Sequence, residues 1–543
     1  MWGSMFDFMA KSVSTTTKMQ TAAFDAWLQY MEMSRNLAAG LWGQQAGEIS
    51  IGQKDPRFRD EAWRENLGAS FMRQSYLVAS KWMEDAAEAL DFLDPKSRLT
   101  VKFWTKQMAD ALSPANNPFT NPVVLNETVR TGGANLVRGM QNLAHDLAAG
   151  RITQVPDDAF KVGVDLACTP GKVVYRSPLM EIIQYSPATE KVRAVPMLMV
   201  PPWINKYYVM DMAPDNSLYK YLVEQGFTVF TISWKNPDES ILDLDWDDYV
   251  RQGPLEALEV VSEITGSEQV NLVGYCLGGI VSQVALGYLA AKGEAGIVNT
   301  ATFFTTHQDY SCVGDIAVFI DENWVQFLDG MMKASGGYLD GRSMAATFNM
   351  LRADDLLWRY VIGNYLLGQV PPAFALLYWN SDGTRVPGKV HTTLLRELFL
   401  HNKLQQPGEL QVLGVGIDLG AVQTPTYAVA ANGDHIVPWQ GAHKIRELMG
   451  GPVRFILTEG GHIAGVVNPP TPEKKRGYFV NDDGDPADPE AWLAGADKIL
   501  DSWWTDWVPW LDGQSGELID PPAMGSETYP PIMDAPGKYV MEK

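Results

Sequence analysis

Apolar and polar positions follow two different rhythms along this chain, and the change between them comes near residue 170. Before it, aromatic and aliphatic residues recur at helical spacing, as at Phe24, Trp27, Leu28 and Met31, which predicts a mainly helical N-terminal domain over 1–170. These four side chains either pack on the core of their own domain or form an amphipathic surface that docks on a partner or an apolar phase. The pattern alone leaves both interpretations open.

From 171 onwards, short β-rich runs alternate with helical runs, which is typical of βαβ units around a mostly parallel sheet. Helices are predicted at 256–264 and 280–289, and strands at 173–175, 181–185, 197–200, 228–234, 269–273, 298–304, 426–430 and 453–457. Residues 306–410 are rich in Trp, Tyr, Met and Leu and interrupt the alternation with a helical and irregular segment. We interpret them as an insertion that covers the active site of an α/β domain spanning 171–543. The Pro- and Gly-rich tail beyond 505 is predicted to lie on the surface.

Composition narrows the class of function. Of 543 residues, 46% are hydrophobic, which is ample for folded cores, and the net charge of −22 lacks the basic footprint of a nucleic-acid-binding protein. The chain has three cysteines, and its N-terminus has no basic stretch followed by an apolar one. No apolar run approaches the 18 or so residues of a membrane-spanning helix. We therefore expect a cytoplasmic protein with no transmembrane segment and no nucleic-acid partner.

The strongest candidate for chemistry is the segment 274–279, Gly-Tyr-Cys-Leu-Gly-Gly. It follows a predicted strand and opens a predicted helix, which is the setting of the nucleophile elbow G-x-S-x-G with Cys in the Ser position. The N-terminus of the helix favours the thiolate of Cys276, and the backbone N–H of Leu277 points to where an oxyanion would form. The alternative interpretation is an ordinary strand-turn-helix with a small buried Cys276.

A second oxyanion donor is expected after an earlier strand, where the chain reads Pro-Pro-Trp-Ile-Asn-Lys over 201–206. Proline has no N–H, so the donor would be the backbone N–H of Trp203 or of Ile204, and we take Ile204 as the candidate.

The partners of the nucleophile are expected downstream, because the chain order in this fold is nucleophile, acid, histidine. Asp434 follows the predicted strand 426–430, and His462 follows the predicted strand 453–457. Both therefore fall near the carboxyl ends of strands, where open α/β sheets carry their chemistry. We predict His462 as the base for Cys276 and Asp434 as the group that holds its imidazole, with His435 as the rival base.

These motifs closely resemble those of the polyhydroxyalkanoate synthases, and the single long chain resembles class I of that family, with class II close behind. The resemblance spans almost the whole sequence, including the Ser-Trp-Trp segment at 502–504. It is carried by GYCLGG at 274–279, PPWINKYYVMD at 201–211, GDHIVPW at 433–439, GGHIAGVVNPP at 460–470, SPANNPFTNP at 113–122, GYLDGRSMAATFNMLRADDLLW at 337–358 and LLYWNSDGTRVPG at 376–388.

The resemblance implies an α/β-hydrolase fold and an acyltransferase that polymerises (R)-3-hydroxyacyl-CoA into polyester and releases CoA. By motif position, Cys276 would carry the acyl group, His462 would be the base and Asp434 the third member. The insertion would be the family's cap, which contributes to a homodimer, and the protein would lie at the surface of polymer granules with the growing polyester chain. The resemblance implies no cofactor, and the sequence shows neither a metal-ligand motif nor a nucleotide-binding loop.

Three features depart from the family's usual pattern, and one of them is an N-terminal extension before about residue 20 that is short for class I. Ile280 stands where Thr is common, and the segment 304–310, Phe-Thr-Thr-His-Gln-Asp-Tyr, is an unusual entry to the cap. The sequence leaves two other functions open. One is a thioesterase or esterase on the same fold, which the cysteine nucleophile disfavours, and the other is a non-catalytic granule-associated protein.

Overall fold

The β-rich runs of the second half of the chain form one mixed sheet. The structure is a computed structural model that describes residues 2–42, 55–473, 476–485 and 487–543. The strands of the described chain are β1 Gly171–Arg176, β2 Met180–Tyr185, β3 Val192–Arg193, β4 Met197–Val200, β5 Val229–Trp234, β6 Val270–Tyr275, β7 Val298–Phe304, β8 Tyr338–Leu339, β9 Val386–Pro387, β10 Gln411–Val412, β11 Val415–Gly416, β12 Thr426–Ala431, β13 Val453–Thr458, β14 Tyr478–Val480, β15 Asp497–Ile499, β16 Leu518–Ile519 and β17 Met533–Asp534. Within the described residues, eleven of them form the sheet, in the order β15-β14-β13-β12-β7-β6-β4-β5-β2-β1-β17.

The centre of the sheet is parallel, and its two flanks are antiparallel. Strands β13, β12, β7, β6, β4 and β5 pair in parallel, whereas β2, β1 and β17 on one side and β14 and β15 on the other pair antiparallel. Every residue of β4, β5, β6 and β12 is buried, as central strands covered on both faces require. The predicted α/β-hydrolase fold, with the hairpin β1–β2 and the strands that follow it, is confirmed.

Helices cover this sheet and build the N-terminal part of the chain. They are α1 Trp2–Leu41, α2 Ala62–Glu65, α3 Leu67–Glu88, α4 Pro95–Ala111, α5 Pro122–Arg130, α6 Ala134–Ala149, α7 Leu218–Glu224, α8 Trp246–Val250, α9 Glu256–Thr265, α10 Leu277–Lys292, α11 Glu322–Ala334, α12 Gly341–Leu351, α13 Ala375–Ser381, α14 Gly388–Thr393, α15 Trp439–His443, α16 Ile445–Leu448, α17 Pro489–Ala494 and α18 Trp504–Asp512. In the described part of the chain, no helix combines the length and the apolar character needed to cross a bilayer.

The chain packs as two units. One consists of Met1–Pro156 with Ala346–Pro372, and the other of Asp157–Ala345 with Ala373–Lys543, which contains the sheet. The middle of the predicted insertion 306–410 therefore groups with the N-terminal helices. Within that first unit, Asp354 bonds to Arg57 at 3.2 Å, and the Asn135 side-chain amide donates to the Leu366 carbonyl at 2.8 Å.

Helix α1 exposes the four apolar residues that the sequence singled out. Phe24, Trp27, Leu28 and Met31 are all exposed, and the rings of Phe24 and Trp27 stack on each other with centroids 5.9 Å apart. Packing of this face on the core of its own domain was the wrong interpretation. The buried residues of α1, among them Met33, lie at other positions of the helix.

The prediction that the tail beyond 505 lies on the surface was wrong for the parts of the tail that contain α18 and β17. Trp507 and Leu511 of α18 are fully buried, because α18 packs its apolar stripe into the core beside the sheet. Strand β17 then pairs with the sheet edge at β1, placing Met533 opposite Val173. A long-range pairing of this kind leaves little trace in local sequence pattern.

Candidate active site

Cys276 occupies a sharp turn between β6 and α10. Its backbone has φ 53° and ψ −119°, a conformation that non-glycine residues rarely adopt and that persists only where the surroundings enforce it. The Cys276 N–H donates to the Phe304 carbonyl of β7 at 3.0 Å, and the Cys276 carbonyl accepts from Ile280 in the first turn of α10 at 3.1 Å. The strain therefore fixes the sulfur at the carboxyl edge of the sheet, above the N-terminus of a helix that favours negative charge.

The glycines of this motif permit two close approaches. A Cβ on Gly274 would lie 2.4 Å from the Cα of Gly279, and a Cβ on Gly278 would lie 2.0 Å from the carbonyl oxygen of Val200. The first contact closes the turn on itself. The second places the start of α10 against the end of β4, so that the loop after β4 lies beside Cys276.

The two predicted oxyanion donors lie in these neighbouring segments. Leu277 is the first residue of α10, and Ile204 is a buried residue of the loop that follows β4. That loop is fixed by Thr384, whose backbone N–H donates to the Ile204 carbonyl at 3.2 Å and whose hydroxyl donates to the Trp203 carbonyl at 2.5 Å. The assignment of the Leu277 and Ile204 N–H groups to an oxyanion stays a prediction.

The loops after β12 and β13 are joined by backbone hydrogen bonds. Asn432 donates to the Thr458 carbonyl at 2.9 Å, and Gly433 donates to the Gly460 carbonyl at 2.8 Å. These bonds extend the pairing of two parallel strands beyond the sheet. They bring the segment that carries Asp434 next to the segment that carries His462.

Asp434 and His462 form a buried hydrogen-bonded pair. His462 Nδ1 lies 2.7 Å from Asp434 Oδ2, and the Asp434 side chain has no exposed surface. The other carboxylate oxygen, Oδ1, accepts from the N–H groups of Ile436 at 2.8 Å and Val437 at 2.9 Å. Burial alone would raise the pKa of Asp434, but His462 and the two N–H donors hold it below its ordinary value.

His462 interacts with both this carboxylate and Cys276. The charge of Cys276 also acts on the imidazole, and the aromatic ring of Tyr275, the residue before Cys276, lies 5.5 Å from the imidazole, centroid to centroid. Burial alone would lower the pKa of His462, but the charges of Asp434 and Cys276 raise it to about 10. The arrangement can therefore keep a proton on the imidazole between a carboxylate and a sulfur.

The structure thus brings together the three residues that the sequence singled out, Cys276, Asp434 and His462. The rival base, His435, lies partly exposed in the loop beside Asp434, whose carboxylate bonds to His462 instead. The roles of these residues in a reaction stay predictions.

The turn after His462 is held by two tryptophans that sequence reasoning passed over. The indole N–H of Trp503 donates to the Gly465 carbonyl at 3.0 Å, and that of Trp504 donates to the Val466 carbonyl at 3.0 Å. Both indoles are buried. The Ser-Trp-Trp segment was recognised as a motif, but its distance along the chain gave no signal that it supports the base.

Two family models match the chain. The model described as the N-terminus of poly-beta-hydroxybutyrate polymerase (PhaC) matches residues 54–222, and the model of the alpha/beta hydrolase fold matches residues 202–469. The second match contains Cys276, Asp434 and His462, and the first ends before them.

Curated relatives match over most of the chain. The poly(3-hydroxyalkanoate) polymerase subunit PhaC of Cupriavidus necator is 42% identical over 90% of this chain and 83% of its own. The poly(3-hydroxyalkanoate) polymerase of Methylorubrum extorquens is 39% identical over 98% of this chain and 91% of its own. Among solved structures, a hydrolase from Pseudomonas aeruginosa is 14% identical with a TM-score of 0.32, covering 55% of this chain and 92% of that one.

Proposed function

Because this chain belongs to the poly(3-hydroxyalkanoate) polymerase family, we propose that it is an acyltransferase that polymerises (R)-3-hydroxyacyl groups from their CoA thioesters, with the chain held on Cys276. The observation that carries the chemical part is the placement of His462, which bonds to Asp434 at 2.7 Å and lies close enough to Cys276 for the cysteine to raise its pKa. A cysteine on a strained elbow, a histidine beside it and a carboxylate behind that histidine are the parts of an activated nucleophile.

The first half of the reaction loads the enzyme. The Cys276 thiolate attacks the carbonyl carbon of the acyl-CoA, the bond between that carbon and the CoA sulfur breaks, and His462 gives its proton to the departing CoA thiolate. The acyl group is then a thioester of Cys276. One thioester replaces another, so the acyl group stays activated, whereas a serine would trap it as a less reactive oxygen ester. The backbone N–H groups of Leu277 and Ile204 would stabilise the oxyanion.

The second half extends the chain. The 3-hydroxyl oxygen of an incoming hydroxyacyl group attacks the carbonyl carbon held on Cys276, and His462 takes the hydroxyl proton. An ester bond forms, the bond to the Cys276 sulfur breaks, and the sulfur leaves as the thiolate. One histidine serves as acid in the first half and as base in the second.

We assign Asp434 the task of orienting His462, not that of deprotonating the hydroxyl itself. Oδ2 is bonded to the imidazole, Oδ1 accepts from the N–H groups of Ile436 and Val437, and the side chain has no exposed surface. A carboxylate with both oxygens occupied and no access to a substrate is suited to holding a tautomer and stabilising an imidazolium.

We also propose that the protein works as a homodimer at the surface of polymer granules in the cytoplasm. Support comes from α11 in the insertion, where Trp324, Phe327 and Met331 are exposed at helical spacing. Exposed apolar rows of this kind mark interaction surfaces. Sedimentation at several protein concentrations, with and without substrate, should show dimers. Monomers alone under all conditions would contradict the homodimer.

The experiment that tests the function incubates the purified protein with (R)-3-hydroxybutyryl-CoA and follows CoA and the acyl product by chromatography. We expect CoA release with growing turbidity, and polyester that yields 3-hydroxybutyrate esters on methanolysis. Release of CoA with only free 3-hydroxybutyrate would make the protein a thioesterase. If no CoA is released, the experiment is repeated with the longer 3-hydroxydecanoyl-CoA. Release of CoA from neither substrate would make the protein non-catalytic.

Two cysteine variants test whether the activity depends on Cys276. Cys276→Ala should abolish CoA release, because no other group on the elbow can carry the acyl chain. Cys168→Ala is the matched control, since Cys168 is also a partly buried free thiol but lies outside the elbow, and it should keep the wild-type rate. Equal rates for the two variants would contradict the role of Cys276.

A further inference from the structure

The segment that follows β7 carries a histidine that the mechanism above does not use. His307 lies three residues beyond the end of β7, in the unusual stretch Phe-Thr-Thr-His-Gln-Asp-Tyr. Its ring is buried, with centroids 5.3 Å from Tyr310 and 5.5 Å from Phe399. These aromatic neighbours fix the orientation of the imidazole, so whatever the ring bonds to is held in place.

His307 binds the loop that carries Asp434. Its Nε2 lies 3.0 Å from the carbonyl oxygen of Ile436, and a carbonyl can only accept, so Nε2 carries the proton. Among the described residues, Nδ1 has no hydrogen-bonding partner. Burial lowers the pKa of His307 to about 4, which keeps the ring neutral and preserves this single donor at neutral pH.

The bond from His307 and a bond to the catalytic carboxylate share one peptide group. The carbonyl of Ile436 and the N–H of Val437 belong to the same peptide unit, and that N–H donates to Asp434 Oδ1 at 2.9 Å. A peptide group that accepts at its oxygen becomes a stronger donor at its nitrogen, because hydrogen bonds in a chain polarise one another. His307 therefore fixes this donor in space and strengthens it.

The segment around His307 is itself anchored. The Asn402 side chain accepts from the Tyr310 N–H at 3.1 Å and donates to Asp309 at 2.8 Å. A Cβ on Gly441 would lie 3.0 Å from the Cys312 carbonyl oxygen, so this segment also packs closely on the helix that follows the Asp434 loop. The Nε2–H donor of His307 thus belongs to an anchored segment and bonds to the loop that carries Asp434.

We propose that His307 is a positioning residue for the acyl transfer: its Nε2–H holds the Ile436–Val437 peptide so that Asp434 stays seated against His462. The inference rests on the proposed function, since it assigns His307 a task through Asp434 and His462. It predicts that the loss of the donor weakens the hold of the carboxylate on the imidazole and leaves the binding of substrate almost unchanged.

The test compares His307→Leu with His307→Gln, whose side-chain amide nitrogen can take the place of Nε2. We expect His307→Leu to lower kcat about tenfold with KM changed less than about twofold, as for misplaced catalytic groups. The loss of kcat/KM at high pH, which reports His462 losing its proton, should move toward neutral pH by about one unit. His307→Gln should restore both. His391→Leu is the matched control, because His391 is another buried histidine whose Nδ1 lacks a partner in the described chain.

A second measurement reads the same effect without turnover. The low-field proton resonance of His462 Nδ1–H, identified by its loss in His462→Ala, should titrate at lower pH in His307→Leu than in wild type. The groups that set this titration are Asp434 and Cys276, and they are unchanged in the variant. Since this resonance needs no acyl transfer, it separates a failure of the inference from a failure of the proposed function.

Two results would overturn the inference. One is a His307→Leu protein whose kcat, pH profile and resonance match those of wild type. The other is a His307→Gln protein as impaired as His307→Leu, because the ring would then act by packing and not as a donor. If His307→Leu does not fold, His307→Asn replaces it, since the shorter amide cannot reach the Ile436 carbonyl.

Discussion

Replacing Gly278 with alanine should force the turn that carries Cys276 away from the loop that follows β4. The added Cβ would lie 2.0 Å from the carbonyl oxygen of Val200 and 2.6 Å from that of Pro201. Both atoms belong to the backbone, so no side-chain rotation relieves the contact. Val200 ends a fully buried strand, and Gly278 lies in the first turn of a buried helix, so neither side yields easily.

The size of the effect follows from these distances. Ordinary contact begins near 3.4 Å, so the two segments must separate by about 1.4 Å, and a displacement of about 1 Å at a catalytic group costs about 10²-fold in rate. Overpacking of a core costs about 1–3 kcal/mol. We therefore expect Gly278→Ala to lower kcat by about 10²-fold and the free energy of unfolding by about 2 kcal/mol.

The assay is the initial rate of CoA release, measured by chromatography, together with thermal unfolding of the same sample. Gly296→Ala is the matched control, because a Cβ on Gly296 meets nothing within 4 Å among the described residues. It should keep the wild-type rate and Tm. A Gly278→Ala protein with the rate and Tm of wild type would refute the close seating of α10 on the end of β4.

Asp434→Asn should lower kcat by about 10³-fold or more, and it should move the high-pH loss of kcat/KM below its wild-type position; an unchanged pH profile would contradict the pair. Because the pKa of His462 is raised from 6.5 to about 10 in the folded protein, its share of stability is complete below pH 6.5 and is lost as pH rises toward 10. Thermal unfolding across that range should show this loss in wild type and much less of it in Asp434→Asn. Arg57→Met should destabilise the N-terminal unit by about 3 kcal/mol, since Arg57 bonds to Asp55 and to the buried Asp110 at 2.7 and 2.9 Å. Lys81→Met, which removes an exposed ion pair with Asp85, should lower the free energy of unfolding by less than about 1 kcal/mol. Hydrogen exchange of the α3 amides measures the loss of stability in both variants, and equal losses for Arg57→Met and Lys81→Met would contradict this reasoning. Trp504→Phe, which deletes the donor to Val466, should lower kcat about fivefold at a stability cost of about 1 kcal/mol, with steady-state kinetics and chemical unfolding as the measurements.

The sequence pattern was sufficient to predict those parts of the molecule whose structure is determined by residues close together in the chain. The elbow was readable because tight packing of strand, turn and helix demands small residues at Gly274 and Gly278. The positions of Asp434 and His462 were readable because each follows a buried apolar strand within a few residues. The strands β4 and β7 begin and end at the residues predicted for them, 197–200 and 298–304.

Long-range packing was not readable in this way. Nothing near residues 346–372 in the sequence indicates that they group with N-terminal helices, since the contact that holds Asp354 depends on Arg57 far upstream. His307 was visible as an unusual residue, but its bond to the Ile436 carbonyl appears only when β7 and β12 are paired. The exposed face of α1 was ambiguous because amphipathic spacing does not reveal what covers it.

The indoles of Trp503 and Trp504 have a consequence for the order in which the enzyme becomes competent during synthesis. Proteins fold from the N-terminal end as they emerge from the ribosome, so β6, the elbow and the turn that contains His462 are all made before α18. The Gly465 and Val466 carbonyls gain their indole donors only when α18 has been added. A nascent chain that stops short of residue 503 therefore contains Cys276, Asp434 and His462 but lacks the two donors to the turn after His462, and that turn is completed only when the indoles of Trp503 and Trp504 are added.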